Sequence, residues 1–583
     1  MKDKNYFLIA ILVIAFLIRL IYLNRFPIGM THDELNYIFT AKSLFLTHSF
    51  PQGTAPAIIP TGMTNINVTV AEIPAVVLGL VTGSLPMSLF TGRVIGAVFS
   101  VLAVWAVYLI SLHIGKKRFP ALVSAFLLAI NPWSILMGRT VFEANFFVAF
   151  FLWGLWVLLK SKGWKIFRAL PLYLLGFFSY TGGQISFFVF MVITLIYHYF
   201  TSGQNKKDLK IYVVFTGLIS LIFAGYVFVA MRNQTYKARG NELYLPNLPK
   251  ISETVNDERK LSVQTPVNSL FINKATVYFS GFIKKYLNTF SVNNLFLTGE
   301  TRAAFSYQTH GTFYLIDFLF IIIGISSLYL INKKGWLFFL AVVAGCSLTS
   351  GLNVVESSYS QRVGLIYPFL VMTVGFGVWS VISSVRSAGA KRLLVVAVSS
   401  IYLISLANLL HIYFIRFPVY ASDGWFFQDR VLARYIDATE KSFSGTKVFV
   451  YTPEPKITFE EYLFYTNHYN STNASTINGR LGQKDYSFNN VFFSEECPTE
   501  LPKGGTVTIF DGSFRCDDLP LPKENIRITR LRDVYANYLI YNDRVCKDFG
   551  LSTYISQSAY KNFSVEDQTV DDFCQNWITE IKQ

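Results

Sequence analysis

Long apolar runs fill the first 415 residues and stop there. Stretches near the ~20 residues that cross a bilayer as a helix recur at about 6–23, 93–113, 119–137, 143–160, 169–182, 184–201, 210–230, 312–331, 336–350, 363–384 and 393–415. Short polar segments separate them, rich in Lys and Arg. After residue 415 the pattern changes. Trp425–Ser442 has helical periodicity, Thr446–Tyr451 reads as a strand and Phe459–His468 as a helix, with further strands at Val491–Ser494 and Thr506–Phe510. The expected fold class is a polytopic α-helical membrane protein of about 11 transmembrane helices over residues 1–415, followed by a soluble extracytoplasmic α/β domain at 416–583.

Composition narrows the class. Of 583 residues, 52% are hydrophobic and 16% aromatic, and only 15% are charged, against ~25% in soluble proteins. That excludes a disordered, collagenous or soluble cytosolic chain. The net charge of +15 does not indicate nucleic acid, because it is unevenly placed: residues 1–415 carry +20 and residues 416–583 carry −5. The positive charge sits in clusters between apolar runs, at Lys116/Lys117/Arg118, Lys160/Lys162/Lys165/Arg168, Lys206/Lys207/Lys210, Lys333/Lys334 and Arg386/Lys391/Arg392. All of these fall on one side when the spans alternate. Basic residues stay inside, which makes the N-terminus cytoplasmic. The first run follows Lys2 and Lys4 without a small-residue cleavage site and reads as a retained anchor. The outer face then owns a long loop at about 24–92, another at about 231–311, two short links at 138–143 and 351–362, and the terminal domain. Cys497, Cys516, Cys546 and Cys574 lie in that domain. Four cysteines in an oxidising compartment suit two disulfides, in any of three pairings. A zinc site is the alternative, and no tight C-x-x-C spacing favours it. There is no internal repeat.

Candidate chemistry lies among polar residues at the outer ends of the spans, where a charge beside the apolar layer is costly. Thr31-His32-Asp33-Glu34 precedes an apolar-periodic helix with Leu35, Ile38, Phe39, Leu44 and Phe45. Acidic residues suit a helix N-terminus, so a capped surface helix accounts for them structurally. A carboxylate at the membrane face can also accept a proton from an attacking hydroxyl, and both hold together. Arg93 opens the second span, as a snorkelling interfacial arginine or as a ligand. Arg139 and Glu143 stand four residues apart and either pair with each other or bind substrate. Arg302 and His310 lead into the eighth span, and Glu356 to Arg362 precede the tenth. Guanidiniums match phosphate through charge-assisted bonds. A base and cations together suit transfer from a lipid phosphate.

These residues carry a resemblance. Asp33-Glu34 with Tyr37 and Ala41 is similar to a DE-x-x-Y-x-x-x-A first-loop pattern. Gly92-Arg93, Asn131-Pro132-Trp133, Arg139 to Glu143, Ser179-Tyr180-Thr181, GETRAAFSYQTHGTFYLIDF and YSQRVGLIYPFL follow in order. Over residues 1–415 the chain resembles the polyprenyl-phosphate-sugar-dependent glycosyltransferases of the GT-C fold. The likeness is to the family 39, protein-mannosyltransferase-like group, with the lipid A aminoarabinose transferases as relatives. The resemblance implies Asp33 as catalytic base, with Glu34 orienting it or binding substrate. It implies Arg93 and Arg302, with Arg362, at the donor phosphate. Tyr37, Arg139, Glu143, His310 and Glu356 complete the expected substrate-binding set. A divalent cation is left open, with Asp33 and Glu143 its candidate ligands, and no other cofactor is implied. Expected partners are a polyprenyl-phosphate-linked sugar (a hexose, mannose for family 39), an acceptor protein, glycan or lipid, and membrane lipids, without nucleic acid. A glycan ligase of the same fold, a transporter or flippase, and a non-catalytic scaffold are the alternatives.

Overall fold

A computed structural model describes residues 6–51, 70–202, 209–232, 248–352, 360–501, 505–514, 516, 519, 525–533, 535–555, 559–561 and 563–580. Glu356, Lys206, Lys207 and parts of both long loops lie outside them. The chain divides into two compact units: Met1–Ile21, Ile59–Pro74 and Gly96–Leu409 form one, and Tyr22–Ile58, Ala75–Ile95 and Leu410–Gln583 the other. The boundary expected at residue 415 therefore misses a non-local element. Residues of the first loop fold with the terminal domain.

Among the described residues, seven helices are long and apolar enough to cross a membrane: Leu89–Gly115, Glu143–Lys160, Thr181–Thr201, Leu209–Phe228, Lys333–Leu352, Ile366–Ser384 and Ala388–Tyr420. Tyr6–Leu20 and Leu315–Ile331 are apolar but shorter, at 15 and 17 residues. The third expected span is broken: Arg118–Ile130 and Pro132–Gly138 meet at 57°. The break has a local cause. The Asn131 side chain accepts from the backbone N–H of Ser134 at 3.0 Å, capping a new helix whose first residue is Pro132. Proline has no N–H to continue the preceding ladder. The fifth expected span contains only an eight-residue α-helix, Leu170–Phe177, after a 3-10 segment at Gly163–Ala169.

Inside the larger unit, Ile366–Ser384 is buried along most of its length. Gly377 permits one close approach, since a Cβ there would lie 2.1 Å from the Phe320 carbonyl oxygen. Two buried arginines tie the first helix down. Arg19 donates to Ser100 Oγ, Ser134 Oγ and the carbonyls of Ala15 and Ala129 at 2.7–3.0 Å. Arg139 donates to the carbonyls of Ile18, Arg19 and Ile21 at 2.7–3.1 Å, covering the orphan carbonyls at the end of Tyr6–Leu20.

The second unit holds a seven-stranded sheet: β1 Lys447–Tyr451, β2 Ser487–Phe488, β3 Val491–Ser494, β4 Thr506–Asp511, β5 Ile526–Thr529, β6 Ala536–Tyr541 and β7 Thr579–Glu580, in the order β2-β3-β1-β4-β6-β5-β7. β1 runs parallel to β3 and β4, and the remaining pairs are antiparallel. Parallel neighbours need a crossover, and helices Pro455–Tyr465 and Ala474–Gly482 supply it between β1 and β3. Tyr451, Phe510 and Tyr541 centre one apolar cluster of the sheet. The cysteines pair Cys497–Cys516 and Cys546–Cys574.

Candidate functional site

In the second unit the site grows from one helix, His32–Thr47. Thr31 caps it, its hydroxyl accepting from the Glu34 backbone N–H at 3.3 Å. Leu35, Ile38 and Phe39 turn inward, as their spacing requires, with Tyr37 also buried. Phe39 packs on Tyr469 at 4.2 Å between ring centroids, and Asn478 Nδ2 donates to Ser43 Oγ at 2.9 Å. Arg430 donates to the Ile28 carbonyl at 2.6 Å while pairing with both oxygens of Glu566. Gly29 fits because a Cβ there would stand 2.0 Å from the Trp425 carbonyl oxygen. The turn before the helix is thereby held at several points.

The two adjacent carboxylates part company here. Glu34 is fully buried and grips Arg93: Nε lies 3.1 Å from Oε1 and Nη2 2.9 Å from Oε2. Arg93 also donates to the carbonyls of Pro27 at 2.8 Å and Gly29 at 2.5 Å. This bidentate clamp fixes the turn that leads into the helix. Asp33, one residue earlier, is exposed. A solvent-facing carboxylate therefore sits on a rigidly anchored helix start. Arg93, expected at the donor phosphate, has its guanidinium enclosed and bonded to Glu34 and to the carbonyls of Pro27 and Gly29. His32 stacks on Phe426, with centroids 3.8 Å apart, and burial lowers its pKa to about 4, leaving the ring neutral near pH 7.

In the larger unit a second set assembles. The loop before Leu315–Ile331 is stitched to the helix break: Asn131 Nδ2 donates to the Thr312 carbonyl at 3.1 Å and Tyr307 Oη to the Pro132 carbonyl at 3.1 Å. Phe305 packs on Phe142, centroids 5.2 Å apart, beside half-buried Glu143. Buried Glu300 accepts from Ser360 N at 2.8 Å and Ser360 Oγ at 3.3 Å. This contact joins the segments that bear Arg302, which is exposed, and Arg362, which is half-buried. His310 is half-buried with Nδ1 2.8 Å from the Gly311 carbonyl, and burial lowers its pKa. Arg139, expected to bind substrate or to pair with Glu143, donates to three carbonyls at the end of the first helix. Glu356 lies outside the described residues. Glu300 was not singled out from the sequence, although an acidic residue two positions from Arg302 in an outer loop was the available signal. Among the described residues no cluster of three or more His, Cys, Asp or Glu is arranged to hold a metal ion.

No protein-family model matches the chain, and no curated protein matches it in sequence. Comparison with solved structures finds similar chains. ArnT from Cupriavidus metallidurans in the apo state is similar at a TM-score of 0.46 and 9% identity, over 91% of this chain and 97% of that one. The same protein bound to undecaprenyl phosphate gives 0.43 and 10%, over 92% and 98%. The oligosaccharyltransferase AglB from Archaeoglobus fulgidus, in complex with an inhibitory peptide and a dolichol-phosphate, gives 0.44 and 12%, over 88% and 70%. Likeness at this level assigns no residue.

Proposed function

We propose that the chain is an integral-membrane glycosyltransferase of GT-C type. It moves one sugar from a polyprenyl-phosphate donor to an acceptor hydroxyl at the external membrane face. The sugar is read as a hexose, mannose being the family 39 expectation, and the acceptor as a protein, glycan or lipid. The observation that carries this reading is the split between Asp33 and Glu34: one carboxylate is locked on Arg93 and the other is exposed on the same anchored turn. Asp33 accepts the proton of the acceptor hydroxyl. The hydroxyl oxygen bonds to the anomeric carbon as the bond from that carbon to the phosphate oxygen breaks. The lipid phosphate leaves, and exposed Arg302, with Arg362, is assigned to its charge. Glu34 and Arg93 position the base.

Orientation rests on two independent features. The Lys/Arg clusters favour a cytoplasmic N-terminus. The two disulfides suit an oxidising, extracytoplasmic terminal domain.

The test is donor dependence. Purified protein in lipid is given polyprenyl-phosphate-linked labelled mannose and a membrane extract as acceptor source, and free polyprenyl phosphate is followed by mass spectrometry. Acceptor-dependent release is expected. Release from a nucleotide-sugar donor in its place, or none from any lipid-phosphate hexose, would overturn the reading.

A further inference from the structure

A groove of about 760 Å³ runs through the larger unit between four helices, Tyr6–Leu20, Arg118–Ile130, Ile366–Ser384 and Ala388–His411. It exists because the last of these stands off from its neighbours. Of its 24 residues only Tyr402 and Leu409 are buried. The Tyr402 hydroxyl donates to Asp317 at 2.6 Å and pins the helix there. Among the described residues of the wall only Ser399 and Tyr402 carry a polar side-chain atom, so the groove suits hydrocarbon. The wall reaches from Phe119 to Ile130 on one helix and from Val395 to Leu406 on another, 11 positions each. At 1.5 Å per residue that is roughly 16 Å, about half of the ~30 Å hydrocarbon layer. The groove is therefore as long as one leaflet is deep.

One end of the groove is basic. Lys116, Lys117 and Arg118 precede Phe119, and Arg386, Lys391 and Arg392 precede Val395, with no Asp or Glu in 116–130 or 386–411. Arg118 stands four positions before Leu122 and Lys391 four before Val395, each one helical turn from a wall residue on the same face. Lys117 rests its ammonium over the Trp379 ring at 4.1 Å. Arg118 has no such partner. Its Nε and Nη2 are enclosed, and neither donates to an acceptor among the described residues. In Arg93 and Arg430 this same edge grips the carboxylates of Glu34 and Glu566. A buried charged donor without an acceptor is costly, and a phosphodiester is an acceptor that fits this edge. Hydrocarbon one leaflet long with a phosphate at its basic end describes a phospholipid, and six flanking cations favour an anionic head. By the distribution of Lys and Arg this end is cytoplasmic, on the face opposite the proposed transfer site.

We propose that this groove binds one anionic phospholipid of the cytoplasmic leaflet, with an acyl chain along the wall and the phosphate on Arg118. Arg118 is half-buried, and rotation of its long side chain turns the Nε–Nη2 edge to the mouth of the groove, where Lys391 and Arg392 add their charge. The site is independent of the transfer reading. The experiment is native mass spectrometry of the full chain in detergent, titrated with phosphatidylglycerol and with phosphatidylcholine of the same acyl chains. The expected result is saturable binding of one phosphatidylglycerol, at least tenfold tighter than phosphatidylcholine. Arg118→Gln should reduce that preference to threefold or less. The pair Lys391→Gln/Arg392→Gln, whose side chains are exposed, should lose at least threefold, which keeps the test decisive where Arg118→Gln lowers the folded yield. Lys162→Gln/Lys165→Gln, in a basic cluster that does not border the groove, should bind as the wild type does. Excess polyprenyl phosphate should not displace the phospholipid. Equal binding of the two lipids, no binding, unaffected groove variants with a wild-type melting transition, an equal loss in the Lys162/Lys165 variant, or displacement by polyprenyl phosphate would each overturn the proposal.

Discussion

Replacing Glu34 by alanine strands a buried guanidinium. Arg93 and Glu34 are both fully buried, and their contact comprises two charge-assisted bonds, at 2.9 and 3.1 Å. Bonds to charged groups are worth about 1.5–3 kcal/mol each. Removing one partner of a buried pair costs about 3–5 kcal/mol by direct comparison, and the two figures agree. For a unit of this size that converts to roughly 6–20 °C in Tm. Glu34→Gln keeps one acceptor and the shape, so it costs less. A double change, Arg93→Met with Glu34→Leu, removes both charges and should cost well under the sum of the single losses. The assay is thermal unfolding of detergent-purified protein followed by tryptophan fluorescence. Trp425 lies 5.8 Å from the Arg93 guanidinium and reports on the same neighbourhood. A Glu34→Ala protein that melts with the wild type would refute the assignment of this pair as the clamp of the Asp33 turn.

Arg139→Met should leave the carbonyls of Ile18, Arg19 and Ile21 without their donor, at a cost of about 3 kcal/mol or more. The reading is a fall in the folded yield and in Tm, with transfer per folded molecule retained. Stability should also drop with rising pH through one window. Burial and acidic neighbours raise Asp429 to about 7 and Glu461 well above its usual value, whereas the unfolded chain releases these protons near pH ~4. The native state then holds more protons than the unfolded one between about pH 4 and 7 and beyond, so this contribution weakens as pH rises. Tm at pH 8 should fall below that at pH 5, and Asp429→Asn should flatten the slope; an unchanged slope in the variant would reject the assignment.

Much of this architecture is visible in local pattern. Apolar runs marked the membrane helices, and alternation marked β1, β3 and β4, because both signals lie within a few residues. Four features are not. The bend at Asn131-Pro132 lies inside an apolar run, and side-chain capping decides it. Strands β5 and β6 take their hydrogen bonds from each other and from β4 and β7, which no local pattern announces. Arg93 read as a phosphate ligand because nothing beside it announces Glu34, 59 positions away. Far longer separations, 402 and 435 positions, hide the grouping of the first-loop helix with the terminal domain, which rests on side chains such as Arg430 and Asn478. The candidate base was legible because a carboxylate pair behind a cap residue is a local signal, but which of the two stays exposed is a tertiary fact.

The central claim is that Asp33 is the base of sugar transfer, and turnover per folded molecule in Asp33→Asn measures it most directly. With a melting transition like that of the wild type, the variant should lose about 10²–10⁴-fold in transfer from the lipid donor. Turnover within a factor of two of the wild type would contradict the account.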